Sequence, residues 1–354
     1  MSKKMFDILV CNPPYNEEFS ANGNKSFAAP VYHEFMDAAY TVADKVELIT
    51  PARFLFNAGS TPKKWNEKML NDKHFKVMHY EPSSKEIFAN TDITGGIAIT
   101  YRNEDEDYGA INVFTPFEEL NSIIRKINIL NDEQSLMSIV YNQNRFNLKI
   151  FLSEHPEAID GIGSNGKDSR FESNIFTKVN CFTDKNINKD DIKVLGVIKN
   201  IRKYKYIQKK YVETKHENLS KYKVLVPSSN GSHSLGEVSS LAGTSLIGTP
   251  LIGKPFIGYT RTFIGIGSFD TINEAENCLK YIKSKFCRVC LGILKITQSN
   301  KKDTWKYVPL QDFTSNSDID WSVSIADIDK QLYKKYNLSE KEIEFIETHV
   351  KEME

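Results

Sequence analysis

The tetrapeptide Asn12-Pro13-Pro14-Tyr15 follows directly on the apolar run Phe6-Asp7-Ile8-Leu9-Val10-Cys11. At ordinary residue frequencies such a string arises by chance on the order of once per thousand chains of this length. The run reads as a buried strand, and in open α/β sheets ligands bind beyond the carboxyl ends of strands. The chemistry that suits this loop is attack by an exocyclic amino group. The adenine amine is a poor nucleophile because its lone pair is delocalised into the ring. An acceptor pair, the Asn12 side-chain oxygen and the Pro13 carbonyl, would hold both N–H groups, so that the nitrogen pyramidalises and aims its lone pair at an electrophilic methyl. Positive charge then develops on the nitrogen, and preorganised neutral acceptors lower that barrier. Two consecutive prolines fix φ and bring no competing N–H donors. Tyr15 offers a face for an extruded base, worth roughly 1–3 kcal/mol of stacking. The alternative is a strand-terminating turn with a buried tyrosine.

The elements that must position this loop alternate. After a polar loop from Asn16 to Ser26, Pro30 to Ala43 reads as a helix, with Val31, Phe35, Ala38, Ala39 and Val42 near helical spacing. Val46 to Thr50 is a short strand stopped by Pro51, Lys63 to Leu70 is helical, and Phe75 to Tyr80 and Gly95 to Tyr101 are strands. This order predicts an α/β fold, a parallel or mixed sheet covered by helices.

Beyond about residue 115 the character changes. A helix is expected at Phe117 to Ile129, followed by a long mixed region containing the polar loop Gly161 to Ser169 and a basic stretch from Lys199 to Lys223. The run Leu246-Ile247-Gly248-Thr249-Pro250-Leu251-Ile252-Gly253-Lys254-Pro255-Phe256-Ile257-Gly258 carries too much Pro and Gly for an interior strand, so turns between short edge strands are expected. A helix from Ile272 to Phe286 follows, and then a strand-like stretch, Arg288 to Ile296. From Asp318 to Glu354 two short helices are expected. The second opens on the Ser339-Glu340-Lys341-Glu342 capping box, with Ile343, Phe345, Ile346 and Val350 as its apolar side. The domains are thus residues 1–115, 116–317 and a tail, 318–354.

Composition bounds the function. The chain has 354 residues, 40% apolar and 26% charged, which fits an ordinary folded protein. Its 46 basic and 46 acidic side chains cancel, so any nucleic-acid surface must come from local clustering. No stretch approaches the roughly 18 apolar residues of a membrane span. Met1 to Asp7 holds no apolar signal core, so no secretory leader is expected. The 5 cysteines are odd in number and scattered, which argues against a disulfide framework and for a reducing cytoplasm.

Phe6 to Tyr15 resembles the NPPY catalytic motif of N6-adenine-specific DNA methyltransferases, particularly the large type II restriction–modification enzymes. The likeness continues through Ile49-Thr50-Pro51-Ala52-Arg53-Phe54, Met69-Leu70-Asn71-Asp72 and Ile93-Thr94-Gly95-Gly96-Ile97-Ala98. The segments Ala275 to Tyr281, Thr297-Gln298, Tyr307-Val308-Pro309, Asp318-Ile319-Asp320-Trp321 and Gln331 to Tyr336 resemble that family's DNA-recognition region. The resemblance implies that Asn12, Pro13, Pro14 and Tyr15 are catalytic and hold the target base, with Tyr15 and Phe88 as stacking faces. It implies DNA methylation with S-adenosylmethionine as methyl donor and double-stranded DNA as partner.

Such enzymes bind the cofactor on a Gly-containing loop that precedes the catalytic motif in this order of motifs, yet only eleven residues precede Asn12. The expectation is therefore a partial Rossmann-like methyltransferase sheet lacking three strands and most of the cofactor pocket. An α+β target-recognition domain and a short helical tail follow it. A separate chain would supply the cofactor-binding half, or a cognate restriction subunit would accompany it. The one downstream alternative for a cofactor loop, Phe263-Ile264-Gly265-Ile266-Gly267-Ser268, reads better as a turn of the recognition domain, and the cofactor-binding residues stay unassigned. The other readings are a non-catalytic DNA-binding remnant or specificity subunit, and a restriction endonuclease component.

Among Lys199 to Lys223, the cations Arg202, Lys203, Lys205, Lys209 and Lys210 interleave with Tyr204, Tyr206 and Tyr211. Phosphate contacts from such cations give affinity, and neighbouring tyrosines reach sugars or base edges. The alternative is a solvated face with the tyrosines packed inward. Cys287 and Cys290 have no second Cys or His pair at ligand spacing, so no metal site is expected and both read as core cysteines on a strand. Asp191 with Glu213 and Lys215 is a weaker set, of the acid-plus-lysine kind found in metal-dependent nucleases.

Overall fold

A computed structural model describes residues 4–16, 29–57, 59–89, 93, 95–129, 131–229, 249–294 and 300–353. The expectations for 17–26, Thr94, 246–248 and 295–298 lie outside the described residues. The chain divides into two compact units, Met1–Asn121 and Ser122–Glu354.

The first unit contains β1 (Phe6–Cys11), α1 (Tyr32–Val42), β2 (Ala43–Pro51), α2 (Lys63–Asn71), β3 (Phe75–Glu81), the single turn α3 (Ser84–Ile87) and β4 (Ile97–Asn103). The strands form a mixed sheet in the order β1-β2-β4-β3. β1 runs parallel to β2, and the other two pairings are antiparallel. Met36, Leu48, Phe54, Met69 and Phe75 close the core. The buried stripe of α1 is Tyr32, Met36 and Ala39, one position on from the expected stripe, and Phe35 is solvent-exposed.

β1 corrects the expectation of a buried strand. It is a strand, but among the described residues an edge strand paired with β2 alone, and Phe6, Ile8 and Val10 are 49%, 63% and 72% exposed. A continuous apolar run ordinarily marks a strand covered on both faces. Its start is pinned by Lys4, whose ammonium donates to the carbonyls of Tyr40 (2.7 Å) and Ala43 (3.1 Å) and pairs with Glu104 at 2.6 Å.

Helix α4 (Glu118–Ile127) spans the division. In the second unit β5 (Val140–Tyr141), the short helical segments α5 (Leu148–Glu154), α6 (Gly163–Gly166) and α7 (Ile175–Lys178), β6 (Ile192–Ile198), β7 (Ile201–Ile207) and β8 (Tyr222–Pro227) are followed by β9 (Leu251–Gly253), β10 (Ile257–Tyr259) and β11 (Phe263–Phe269). Two sheets result, β10-β6-β7 and β5-β11-β8-β9. The described part of the Gly/Pro run is two three-residue edge strands, β9 and β10, one in each sheet, as its composition predicts.

Then come α8 (Ile272–Lys283), α9 (Lys285–Gly292), α10 (Ile325–Lys335) and α11 (Glu340–His349). The capping box of α11 forms with Ser339 and Glu342, and a second one with Thr271 and Glu274 opens α8. The expected single helix to Phe286 breaks at Ser284, whose hydroxyl caps α9 by accepting from the Cys287 N–H at 3.1 Å. Arg288 to Gly292 is helix, not strand, and Cys287 and Cys290 are fully buried on it. A short run apolar on all sides fits a buried helix as well as a buried strand, because periodicity does not separate them. Among the described residues, no helix is long and apolar enough to cross a membrane.

Candidate active site and nucleic-acid surface

Register gathers several loops at one end of the first unit's sheet. Cys11 lies opposite Leu48 on the parallel strand β2, Pro51 faces Ile97, and Ile97 faces Glu81. Asn12–Tyr15, the turn Ala52–Phe56, the approach to α3 and Gly95-Gly96 therefore share that end. Asn12 and Pro14 are exposed there, whereas Pro13 is buried and anchors the corner. The Tyr15 carbonyl accepts the Val31 N–H at 3.1 Å, which fixes the exit of the loop. The Asn12 side chain makes no hydrogen bond to another described residue, so its amide oxygen is open to a ligand.

Tyr15 is half-buried against the unit's core, and its hydroxyl is buried with no hydrogen-bond partner among the described residues. Burial raises its pKa, so the ring is a neutral phenol at physiological pH. Phe88 ends α3, half-buried, its N–H donating to the Ser84 carbonyl at 2.8 Å. It is on the segment that leaves β3, the edge strand opposite β1, so the sheet brings Asn12 and Phe88 to one end but from opposite edges.

The same end carries a cation to which the sequence reading gave no role. Arg53 is exposed on the turn after β2 and forms no ion pair among the described residues. Gly95 (φ +91°) leaves room for its side chain, since a Cβ there would overlap Arg53 Cγ, and Gly96 (φ +77°) packs as tightly on the Glu81 carbonyl. The adjacent glycines were the available signal, because both occupy backbone conformations that a Cβ disfavours.

The basic stretch occupies β7, an edge strand, and the turn after it. Lys203 and Lys209 are exposed, Lys209 lying 5.6 Å from the centre of the Phe256 ring. Lys205 pairs with Asp184 at 3.2 Å and Lys210 with Glu154 at 2.6 Å. Arg202 is half-buried and donates to the Thr249 carbonyl. The five cations thus share a region without converging on one pocket, and three of them already hold partners.

The weaker candidates are otherwise engaged. The Asp191 carboxylate accepts from the N–H groups of Ile187 and Asn188 at 3.0 and 2.9 Å and closes a turn. No three His, Cys, Asp or Glu side chains come together as a metal site among the described residues. Gly265 and Gly267 lie within β11, between antiparallel neighbours, not on a strand-to-helix turn. A Cβ at Gly265 would overlap the Tyr259 hydroxyl and one at Gly267 the Phe269 ring, so packing accounts for both. Among the described residues, no glycine-rich turn joins a strand's carboxyl end to a helix N-terminus.

Residues 1–88 match the Eco57I restriction-modification methylase family. The matched segment begins before β1 and ends on Phe88, so it takes in the whole of Asn12–Tyr15. Over 93 residues the chain is 26% identical to an uncharacterized adenine-specific methylase of Mycoplasma pneumoniae, covering 26% of this chain and 22% of that protein. The type IIG restriction endonuclease BpuSI aligns in structure over 93% of this chain and 49% of its own, at 10% identity and a TM-score of 0.31. The chain thus spans about half of that enzyme, and the matched part about a fifth of the methylase. Over about a quarter of the chain, the family match and the methylase relative bear out the resemblance to adenine-specific DNA methyltransferases of the restriction–modification type.

Proposed function

We propose that this chain is the base-holding and DNA-gripping part of a site-specific DNA adenine methyltransferase in a restriction–modification system. The observation that carries it is the exposed Asn12 amide, unpartnered among the described residues, beside Pro13 at the carboxyl end of β1, inside the segment that matches the methylase family. Asn12 Oδ1 and the Pro13 carbonyl accept the two N–H groups of a flipped adenine. Tyr15 stacks on the base, Phe88 closes on it from the opposite edge, and Arg53 holds a flanking phosphate. Neutral acceptors around the amine stabilise the positive charge that develops on it, and Tyr15 contributes by being un-ionised.

S-adenosylmethionine, the methyl donor that the family implies, is held by other polypeptide. The open apolar edge of β1 is where further strands of a cofactor-binding half would pair, since unpaired edges of this kind are ordinarily covered. Double-stranded DNA is the substrate, and the second unit grips it.

Transfer of a radiolabelled methyl group to duplex DNA, with and without the polypeptide encoded beside this chain, tests the proposal. Asn12→Ala is expected to lower the rate at least 100-fold while DNA affinity changes less than threefold. A variant as active as the wild type would overturn the assignment. DNA binding with no transfer under any pairing would identify a gripping subunit without turnover.

A further inference from the structure

In the second unit, distant segments converge on a groove of about 490 Å³ lined by Asn142, Gln143, Arg145, Arg170, Arg261 and Lys301 among others. We propose that this groove reads the edges of base pairs in duplex DNA, with Asn142, Gln143 and Arg145 facing the bases and Arg170, Arg261 and Lys301 the phosphates. The inference rests on the methyltransferase reading for the identity of the polyanion, and on the groove alone for its place.

Three observations carry it. The first is charge: among the described residues, four cations line the groove and no carboxylate does. Asp168 and Glu172 pair with two of its arginines. Asp168 grips Arg170 with two hydrogen bonds of 2.8 and 2.7 Å, and Glu172 accepts from Arg261 at 3.0 Å. Arg145 and Lys301 form no ion pair among the described residues. The paired guanidiniums are held in orientation, and the unpaired cations await an anion.

The second is chemistry. Carboxamides bond bidentately to adenine and a guanidinium to guanine, so two amides and an arginine in one short run are a base-reading set. The Asn142 and Gln143 side chains make no hydrogen bond to another described residue, although Gln143 is largely buried. A second cavity of about 400 Å³ shares Asn142, Gln143 and Arg145, which places these three between two hollows.

The third is rigidity. The strap 142–146 is tied to three other segments. Asn144 N–H donates to the Tyr259 carbonyl at 3.1 Å, and Tyr259 N–H donates back to Asn144 Oδ1 at 2.8 Å. Phe171 N–H donates to the Asn144 carbonyl at 2.9 Å, and Glu213 N–H to the Arg145 carbonyl at 2.9 Å. Side chains that read sequence must be held by their scaffold to within a fraction of an ångström.

The test is selection by the full chain, without methyl donor, from randomised 30-base-pair duplexes in the presence of heparin, followed by affinity measurement on the enriched sequence. Arg145→Ala and Gln143→Ala are each expected to lower affinity for that sequence tenfold or more, with affinity for scrambled duplex changing less than threefold. Arg145→Lys keeps the charge and is expected to lose the preference as well. Lys301→Ala is expected to weaken both duplexes equally and to reduce the salt slope by about 1. Asn142→Ala, at an exposed position, supplies a reading should Gln143→Ala misfold. Retained preference in Arg145→Ala, or no enrichment by the wild type, overturns the groove assignment. The methyl-transfer result with Asn12→Ala is independent of it, so either reading can fail alone.

Discussion

Two apolar runs of similar length, Phe6 to Cys11 and Phe286 to Leu291, meet opposite fates. The first is an extended edge strand with three of its large side chains about half or more exposed. The second is a helix whose six residues are all buried, Arg288 included. Composition states only that a segment needs apolar surroundings. It does not say whether the same chain supplies them. In α9 it does: Ser284 caps the helix, the Asp329 carboxylate accepts the N–H groups of Lys285 and Phe286 at 3.0 and 2.9 Å, and Tyr336 stacks on Phe286 at 4.8 Å. On β1 it does not.

The largest expected effect breaks the buried run. Phe286→Ala removes a fully buried ring and its stacking partner's contact, and should cost about 3–5 kcal/mol of stability. Denaturant unfolding of the full chain measures it. A loss below about 1 kcal/mol would mean that α9 is far looser than its burial indicates.

The next effect concerns pH. Burial raises the Asp329 carboxyl to about 6, against hydrogen bonds from Phe286 and Lys285 that pull it back. Below about pH 4 the group is protonated in both folded and unfolded chains. Between about 4 and 6 the folded chain keeps a proton that the unfolded chain has released, so this group's contribution to stability falls as pH rises through that window. Asp329→Asn should flatten that slope, by roughly 1–3 kcal/mol across the window. Melting curves at pH 4 and pH 7 check it, and an unchanged difference between them would show that the carboxyl is not the titrating group.

The same contrast explains what was legible in the sequence. The capping box at Ser339 and Glu342 is local, four residues that satisfy one another's donors, and it forms where expected. Strands and helices of the first unit are legible because each is short and bounded by Pro, Gly or Asn. The loop at Asn12–Tyr15 is legible as the end of β1 because two consecutive prolines stop a strand. Residues 288–292 are misread because a wholly buried helix shows no polar face to give a period. The groove is invisible in the chain because Arg145, Arg170, Arg261 and Lys301 are brought together by backbone bonds between distant segments. The basic stretch at 199–223 draws attention by density, yet Lys205 and Lys210 there already hold Asp184 and Glu154. Density of charge is written in sequence; whether each charge is spent is not.

The smallest effect on stability is the most informative about β1. Ile8 and Val10 are largely exposed on an edge, so Ile8→Lys with Val10→Lys should change unfolding of the chain by no more than about 0.5 kcal/mol. Lysines on an open strand discourage edge-to-edge pairing, so self-association of the wild type at high concentration should be reduced in the double variant, as read by sedimentation. On the proposed function, in which a cofactor-binding half pairs along β1, methyl transfer by the pair should be lost in the double variant although Asn12–Tyr15 are unchanged. Should the double variant instead cost more than about 2 kcal/mol in the chain alone, the apolar side chains of β1 are spent within this polypeptide, and its likeness to α9 is closer than the exposure of Ile8 and Val10 implies.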